Sequence, residues 1–132
     1  MENRLMSPIK MEKAEKANRL GLKYIEAINA QRIEMIEKSL HSECIWETSA
    51  SSPEDGKIIG GKNIVEYWKN KFGGRLKHSI KVEEIMGSGL RCILFEEIEE
   101  EKTGGLQTIR RAVEIFEVQG EEIIRIRSYT KT

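Results

Sequence analysis

The spacing of apolar residues predicts three helices. Apolar side chains recur every three or four positions over Pro8–Asn29, over 31–40 and over 62–72, which is the period of a helix with one buried face. Ser7 before Pro8 is a typical helix start, because Ser caps free backbone N–H groups and Pro fits the first helical position.

The rest of the chain has the pattern of strands. A short apolar run at 44–48, CIWET, lies between the second and third helices. Further along, apolar and polar residues alternate in four runs separated by short glycine-containing turns, at 76–85, 90–99, 106–118 and 122–130. Strands joined by short turns pair antiparallel. We therefore expect one α+β domain over 1–132, with three helices toward the N-terminus, a largely antiparallel sheet and a flexible segment at 1–7.

Two glycines and a lysine raise the question of a nucleotide site. Gly56, Gly61 and Lys62 have the spacing of a phosphate-binding loop, but Asn63 lacks the hydroxyl that would bind magnesium. Such a loop joins a strand to a helix within a strand–helix–strand unit, whereas here a polar loop at 51–61 precedes the helix and hairpins follow it. We interpret the glycines as a sharp turn into the third helix.

The composition excludes several classes of protein. The 132 residues include 22 Lys plus Arg and 22 Asp plus Glu, so no overall charge favours nucleic acid or an anionic membrane. With two His, no His-x-His pair, and Cys44 and Cys92 in separate apolar runs, we expect reduced core thiols and neither metal nor cofactor. The chain has no apolar leader and no membrane-length stretch, so we expect a cytoplasmic protein.

Three segments resemble a known family. YIEAINAQRIEMIEKSLHSECIWE at 24–47, GGKNIVEYW at 60–68 and VEIFEVQGEEIIRIRSY at 113–129 are similar to the SnoaL-like and ketosteroid-isomerase-like group of the nuclear-transport-factor-2-like superfamily. The resemblance covers about 17–129. It implies a cone-shaped, cystatin-like α+β fold, whose curved sheet wraps the helices and leaves an apolar pocket at its open end. It does not imply one activity, because this fold hosts isomerases, cyclases, hydrolases, dehydratases and binding domains.

The resemblance also suggests roles for residues on the first helix and first strand. Tyr24 matches the isomerases' tyrosine that donates a hydrogen bond to the substrate oxygen, although packing alone would also explain it. Trp46 and Thr48 are expected to face the pocket and Glu47 to face outward. Thr48 would then occupy the position of the general base, which a neutral hydroxyl cannot replace. A slip of one residue would turn Glu47 inward instead.

The isomerases' second acid would align with Arg111 or a neighbour. Arg110 and Arg111 are adjacent on a strand, so their side chains must point to opposite faces. We expect one of them, Arg111 in our preferred alignment, to lie at the cone interior or its mouth. There it would bind a carboxylate, phosphate or enolate oxygen. The alternative is that both arginines reach solvent.

The strand CILFEEI supplies two further expectations. Both of its faces are apolar at 92–95, which indicates that one covers the core and the other a partner, and a homodimer through the outer sheet face fits this pattern. Alternation also places either Glu96 or Glu97 inward, and we select Glu97 as a candidate acid or base. His78 shares a face with apolar residues and is a candidate for proton transfer, although a packed histidine is more common.

These residues support three functions. The first is a binding domain for a small hydrophobic, possibly anionic, molecule, with Arg111 as the charged donor and walls formed by Trp46, Thr48, Tyr67, Trp68 and Phe72. The second is a cofactor-free isomerase, cyclase or lyase acting on a carbonyl or enone, with candidates Tyr24, Glu47, His78, Glu97 and Arg111. The third is an epoxide-hydrolase-like site, which needs two carboxylates beside the arginine.

Overall fold

A computed structural model describes residues 8–49, 56–74, 77–102 and 104–131, with the side chains of 8–12 and 102 left out. The predicted flexible segment at 1–7, with the predicted helix cap Ser7, and residues 51–55 of the predicted loop at 51–61 lie outside the described residues. In chain order the elements are α1 Pro8–Asn29, α2 Ile33–Ser39, β1 Leu40–Thr48, β2 Lys57–Ile59, α3 Gly61–Gly73, β3 His78–Ser88, β4 Arg91–Lys102, β5 Leu106–Gln119 and β6 Glu122–Lys131.

The strands form one six-stranded sheet in the order β2-β1-β6-β5-β4-β3. All pairs are antiparallel except β1 with β6, which run parallel and are separated in the chain by helix α3 and four strands. This confirms an α+β fold with a largely antiparallel sheet. The sheet curves, and bulges interrupt the register between Val82 and Glu84 on β3 and between Glu117 and Val118 in the β5–β6 pair.

Two details of the predicted order need correction. The strand β2 lies where the sequence predicted only loop, because three residues are too few to show a period. In addition, α3 follows β1, as the sequence predicted, so the description of three helices toward the N-terminus holds strictly only for α1 and α2. None of the helices within the described ranges is long and apolar enough to cross a membrane.

The helices cover one face of the sheet, which we call the inner face. Apolar residues of α1 pack on it, including Leu20, Tyr24 and Ile28, together with Ile64 and Trp68 of α3. From the sheet, the inner face contributes Cys44, Trp46, Ile80, Cys92, Leu94, Ile98, Ala112, Phe116, Val118, Ile123 and Ile126. Four polar residues are buried with them, and three of these, Glu96, Glu114 and Ser128, lie on the strands.

The glycines before α3 make a tight turn, as the sequence predicted. Gly60 has a φ of 99°, a conformation that residues with a side chain rarely adopt. A Cβ on Gly61 would lie 2.6 Å from the backbone oxygen of His41, so the helix start passes too close to β1 for any side chain. Asn63 donates a hydrogen bond from its side-chain nitrogen to the carbonyl of Ile59. The turn therefore joins a short antiparallel edge strand to a helix, which is not the setting of a phosphate-binding loop.

Candidate functional site

A small cavity lies between α3 and the inner face of the sheet. Its volume is about 40 Å³, which is room for about two water molecules. Apolar and aromatic groups form much of the wall, and a few polar groups converge on it. The lining residues are Trp46, Thr48, Tyr67, Trp68, His78, Ile80, Ile98, Arg110, Ala112, Glu114, Ser128 and Thr130.

Four aromatic rings form a contiguous group beside the cavity. Trp46 and Trp68 are stacked with ring centroids 5.7 Å apart, and Tyr67 meets both rings edge-on. Phe72, one turn further along α3, stacks on Trp68. The structure thus places four of the five predicted wall residues at the cavity, and it places Phe72 behind Trp68. The alternation predicted for β1 also holds, because Trp46 and Thr48 face inward.

Glu114 supplies a carboxyl group at the cavity surface. It is buried on β5 opposite Ser128 of β6. Ser128 Oγ donates a hydrogen bond to Glu114 Oε2 over 2.5 Å, and Trp46 Nε1 donates to Ser128 Oγ over 2.9 Å. This series of bonds fixes the orientation of the carboxyl group. A fixed orientation of this kind is what a general base requires.

A second carboxyl group, that of Glu96, lies next to Glu114. Glu96 is on β4, only 1% exposed, and neither of its oxygens has a hydrogen-bond partner among the described residues. Burial, and secondarily the charge of Glu114, raise the pKa of Glu96 to about 11. Glu96 therefore carries its proton at neutral pH.

Tyr24 lies deeper than the cavity wall. Its hydroxyl accepts a hydrogen bond from Trp68 Nε1 over 2.9 Å, and its ring meets Phe116 edge-on. Burial, followed by the charge of Glu114, raises the pKa of Tyr24 well above its usual value. Tyr24 is not among the cavity-lining residues of the described chain. In this structure it positions Trp68, and it has no direct access to a molecule in the cavity.

Four charged or titratable residues form a cluster at one end of the cavity, which we call the rim cluster: Lys71, His78, Glu100 and Arg110. Lys71 Nζ donates to Glu100 Oε2 over 2.9 Å, and Arg110 donates to Glu100 Oε1. His78 Nδ1 lies 3.6 Å from Glu100 Oε2. His78 first, and then Lys71 and Arg110, hold the pKa of Glu100 well below its usual range, while burial acts in the opposite direction. The other three side chains of the rim cluster thus hold the carboxylate of Glu100.

Three predicted site residues lie on the other face of the sheet, which we call the outer face. Glu47 is paired there with Arg125, whose Nη2 is 2.7 Å from Glu47 Oε1. Glu97 and Arg111 are cross-strand neighbours on the outer face, and Arg111 is exposed. The interior positions that the sequence analysis gave to Glu97 and Arg111 are therefore incorrect by one residue. Because side chains alternate, Glu96 and Arg110 point inward instead.

The sequence analysis did not select Glu96, Glu100, Glu114 or Ser128. A signal for Glu114 was present, since it shares its strand face with Ala112 and Phe116 at two-residue spacing. Glu100 shares a face with Leu94 and Ile98 in the same way. Because Arg111 and Glu97 were expected to point inward, the same alternation turned Glu114 and Glu100 to the outer face. No group of three or more His, Cys, Asp and Glu side chains has a metal-binding arrangement in the part of the chain that the structure describes.

Comparison with known proteins identifies the family. No curated protein matches the chain in sequence. Among solved structures, an epoxide hydrolase of Mycobacterium tuberculosis described as LEH-like has a TM-score of 0.79 at 18% identity, covering 90% of this chain and 85% of its own. A candidate isomerase from Bacillus subtilis has a TM-score of 0.77 at 17% identity, covering 90% and 88%.

A candidate SnoaL-like polyketide cyclase from Shewanella denitrificans has a TM-score of 0.75 at 13% identity, covering 86% of this chain and 88% of its own. These likenesses show a shared fold and leave the activity open, since relatives with different chemistry are equally similar. The model of the SnoaL-like domain matches residues 22–126. That match covers most of the chain and supports the resemblance seen in its sequence. The chain belongs to the SnoaL-like domain family.

Proposed function

We propose that this SnoaL-like domain binds a small, largely apolar carbonyl compound and catalyses proton transfer on it, with Glu114 as the general base. The observation that carries this proposal is the position of Glu114, a buried carboxyl group that borders the cavity. The hydrogen bond that Ser128 donates fixes the orientation of the Glu114 carboxyl group. No cofactor is required for this chemistry.

The neighbouring Glu96 supports the role of Glu114. A general base must be able to hold and release a proton near the working pH. Glu96 keeps its own proton at neutral pH, so it places no second negative charge beside Glu114. Two carboxyl groups at close range do not both ionise, because the second charge would face the first in a medium of low dielectric constant.

The aromatic walls determine the kind of molecule that would fit. Trp46 and Trp68 present stacked indole rings, and such surfaces favour flat or cyclic apolar groups. The cavity of about 40 Å³ is smaller than a ring-sized ligand, so binding requires side chains at its border to move. The partly exposed side chains of Lys71 and Arg110 in the rim cluster are the candidates for that movement.

Hydrogen–deuterium exchange tests the proposal. The protein in deuterated water is incubated with small ketones and enones, from butanone to cyclohex-2-enone, and loss of the α-proton signals is followed by NMR. We expect catalysed exchange in the wild type and a loss of about 100-fold or more in Glu114→Gln, since an amide cannot act as the base.

The matched control is Glu47→Gln, which makes the same change on the outer face. It should exchange at the wild-type rate because Glu47 is paired with Arg125 away from the cavity. Equal rates in wild type and Glu114→Gln would contradict the role of Glu114. Absence of catalysed exchange with every compound would leave the domain as a binding protein and refute the catalytic part of the proposal.

A second candidate function is the addition of water to an epoxide. The cavity has room for water beside Glu114, and the epoxide hydrolase of M. tuberculosis shares the fold. Arg110 and Glu114 are four residues apart on β5 and line the same cavity, which meets part of the need for an arginine near carboxylates. Diol formation from styrene oxide, lost in Glu114→Gln, would favour this function over proton transfer at carbon.

We also propose that two copies associate through the outer face. Its centre is apolar, with Ile93, Phe95, Val113 and Ile115 half-buried and Tyr129 exposed, and no element of the described chain covers it. A groove of about 460 Å³ crosses this face beside Phe95 and Tyr129. Charged residues of both signs border the centre, including the ion pairs Glu47–Arg125 and Glu117–Arg127, so the border offers either sign of charge to a second copy.

A further inference from the structure

The rim cluster borders the cavity through two of its four members. His78 and Arg110 both line the cavity, and Glu100 bonds to Arg110 and Lys71 at its end. The His78 side chain is 6% exposed, and its Nδ1 lies 3.6 Å from Glu100 Oε2. The imidazole therefore faces the position that the Glu100 carboxylate occupies.

Glu100 shows which chemical group the rim cluster recognises. Its carboxylate accepts hydrogen bonds from an ammonium and a guanidinium and lies 3.6 Å from the imidazole of His78. A guanidinium matches a carboxylate in shape as well as charge, because its N–H groups diverge at the spacing of the two oxygens. The protein's own side chain therefore occupies a carboxylate site that borders the ligand cavity.

We propose that the natural ligand carries a carboxylate, which replaces Glu100 on Arg110 and His78 while Glu100 remains paired with Lys71. This inference rests on the proposed function, in that the cavity must admit a small molecule. It goes further by assigning the ligand class: an apolar body against the tryptophans and an acid group at the rim cluster.

Binding replaces one carboxylate with another of the same charge. One carboxylate replaces another on Arg110, so the guanidinium is paired in both the free and the bound protein. Lys71 lies at the C-terminal end of α3, and its side chain is 23% exposed, so Lys71 and Glu100 are able to move together toward solvent. The movement also opens the end of the cavity, which the apolar part of the ligand requires.

An NMR titration with two probes of equal shape tests the proposal. Cyclohexanecarboxylate and cyclohexanecarboxamide are added separately, and the indole N–H signals of Trp46 and Trp68 report binding. We expect the carboxylate to bind the wild type about tenfold or more tightly than the amide, since the charged hydrogen bonds exist for the carboxylate alone. Arg110→Gln should remove that preference.

Two further variants test whether Glu100 competes with the ligand and whether the effect is specific to Arg110. Glu100→Gln removes the internal competitor and should strengthen binding of the carboxylate without strengthening that of the amide. Arg111→Gln is the matched control, because it removes the adjacent arginine from the outer face, and it should behave as wild type. Unperturbed signals outside the cavity would show that each variant is folded.

Several outcomes would overturn the proposal. Equal affinity of the wild type for the two probes, failure of the carboxylate to bind, or a preference that survives Arg110→Gln would each do so. The result is separable from the proton-transfer test. If the carboxylate binds but no hydrogen–deuterium exchange is catalysed, Glu114 is not the base and the assigned ligand class stands. If hydrogen–deuterium exchange is catalysed but the carboxylate is not preferred, Glu114 remains the base and the ligand class is wrong.

Discussion

At the scale of single residues, Glu96 makes stability depend on pH. In the unfolded chain its pKa is near 4.5, and in the fold burial and Glu114 raise it to about 11. A raised pKa gives stability that is fully present below pH 4.5 and is lost as pH rises toward 11, because only the unfolded state releases the proton. We expect Glu96→Gln to melt about 5 °C or more above wild type at pH 8, with the difference closing toward pH 4.5.

The control for this prediction is Glu97→Gln on the outer face of the same strand. It makes the same Glu-to-Gln change at a half-buried position, and its melting temperature should follow that of the wild type across the pH range. Thermal melts by circular dichroism at several pH values measure all three proteins. A constant difference between Glu96→Gln and wild type at every pH would show that the side chain acts through packing instead of its proton.

The candidate site could be predicted from sequence only where the pattern showed which residues of a strand point inward, which we call the phase of the strand. On β1 the phase was correct, because Trp46 is a large apolar residue that fixes the inward side. On β4 and β5 it was incorrect at Glu97 and Arg111, because each stands beside a residue of the same charge. Phe116 and Ala112 would have set the phase and identified Glu114.

At the scale of elements, helix α1 approaches the sheet too closely for a side chain at Gly21. A Cβ there would lie 2.9 Å from Cys92 Sγ and 3.4 Å from Phe116. Glycine in a helix normally costs about 1 kcal/mol relative to alanine. At this site overpacking outweighs that gain, and we expect Gly21→Ala to lower the free energy of unfolding by about 1–3 kcal/mol.

Gly73 provides the matched comparison, because it also lies in a helix and a Cβ there would have no neighbour within 4 Å. Gly73→Ala should leave the free energy of unfolding unchanged or raise it by up to about 1 kcal/mol. Urea denaturation followed by tryptophan fluorescence measures both variants. If Gly21→Ala is as stable as wild type, the close packing of α1 against β4 does not limit stability.

The elements themselves were predictable because most are long and periodic. The end of α1 at Asn29 and the four C-terminal strands follow from apolar spacing and glycine turns. Two features could not be obtained in this way. The pairing of β1 with β6 joins segments about 80 residues apart, and local patterns contain no information on it. The strand β2 is held by its partner β1 through three residue pairs, and its own sequence carries no period.

At the scale of the whole molecule, the outer face predicts a homodimer of twice the 15.2 kDa chain mass. Half-buried Phe95 lies on β4 near the centre of the exposed apolar residues, so a charge there would be desolvated at the interface without a partner. We expect Phe95→Glu to weaken association by about 100-fold or more. Sedimentation velocity across the micromolar range measures this.

The control is Ile59→Glu, which adds the same charge at an exposed apolar residue on the edge strand β2. It should remain a dimer, because β1, β6 and β5 separate β2 from β4 in the sheet. A wild type that sediments as a monomer at high micromolar concentration would refute the interface. Dimerisation unaffected by Phe95→Glu would place the contact elsewhere. If the proposed dimer forms, the ion pair Glu47–Arg125 and the cross-strand neighbours Glu97 and Arg111 lie on the face of assembly, while Glu114 and the rim cluster remain on the inner face for the ligand.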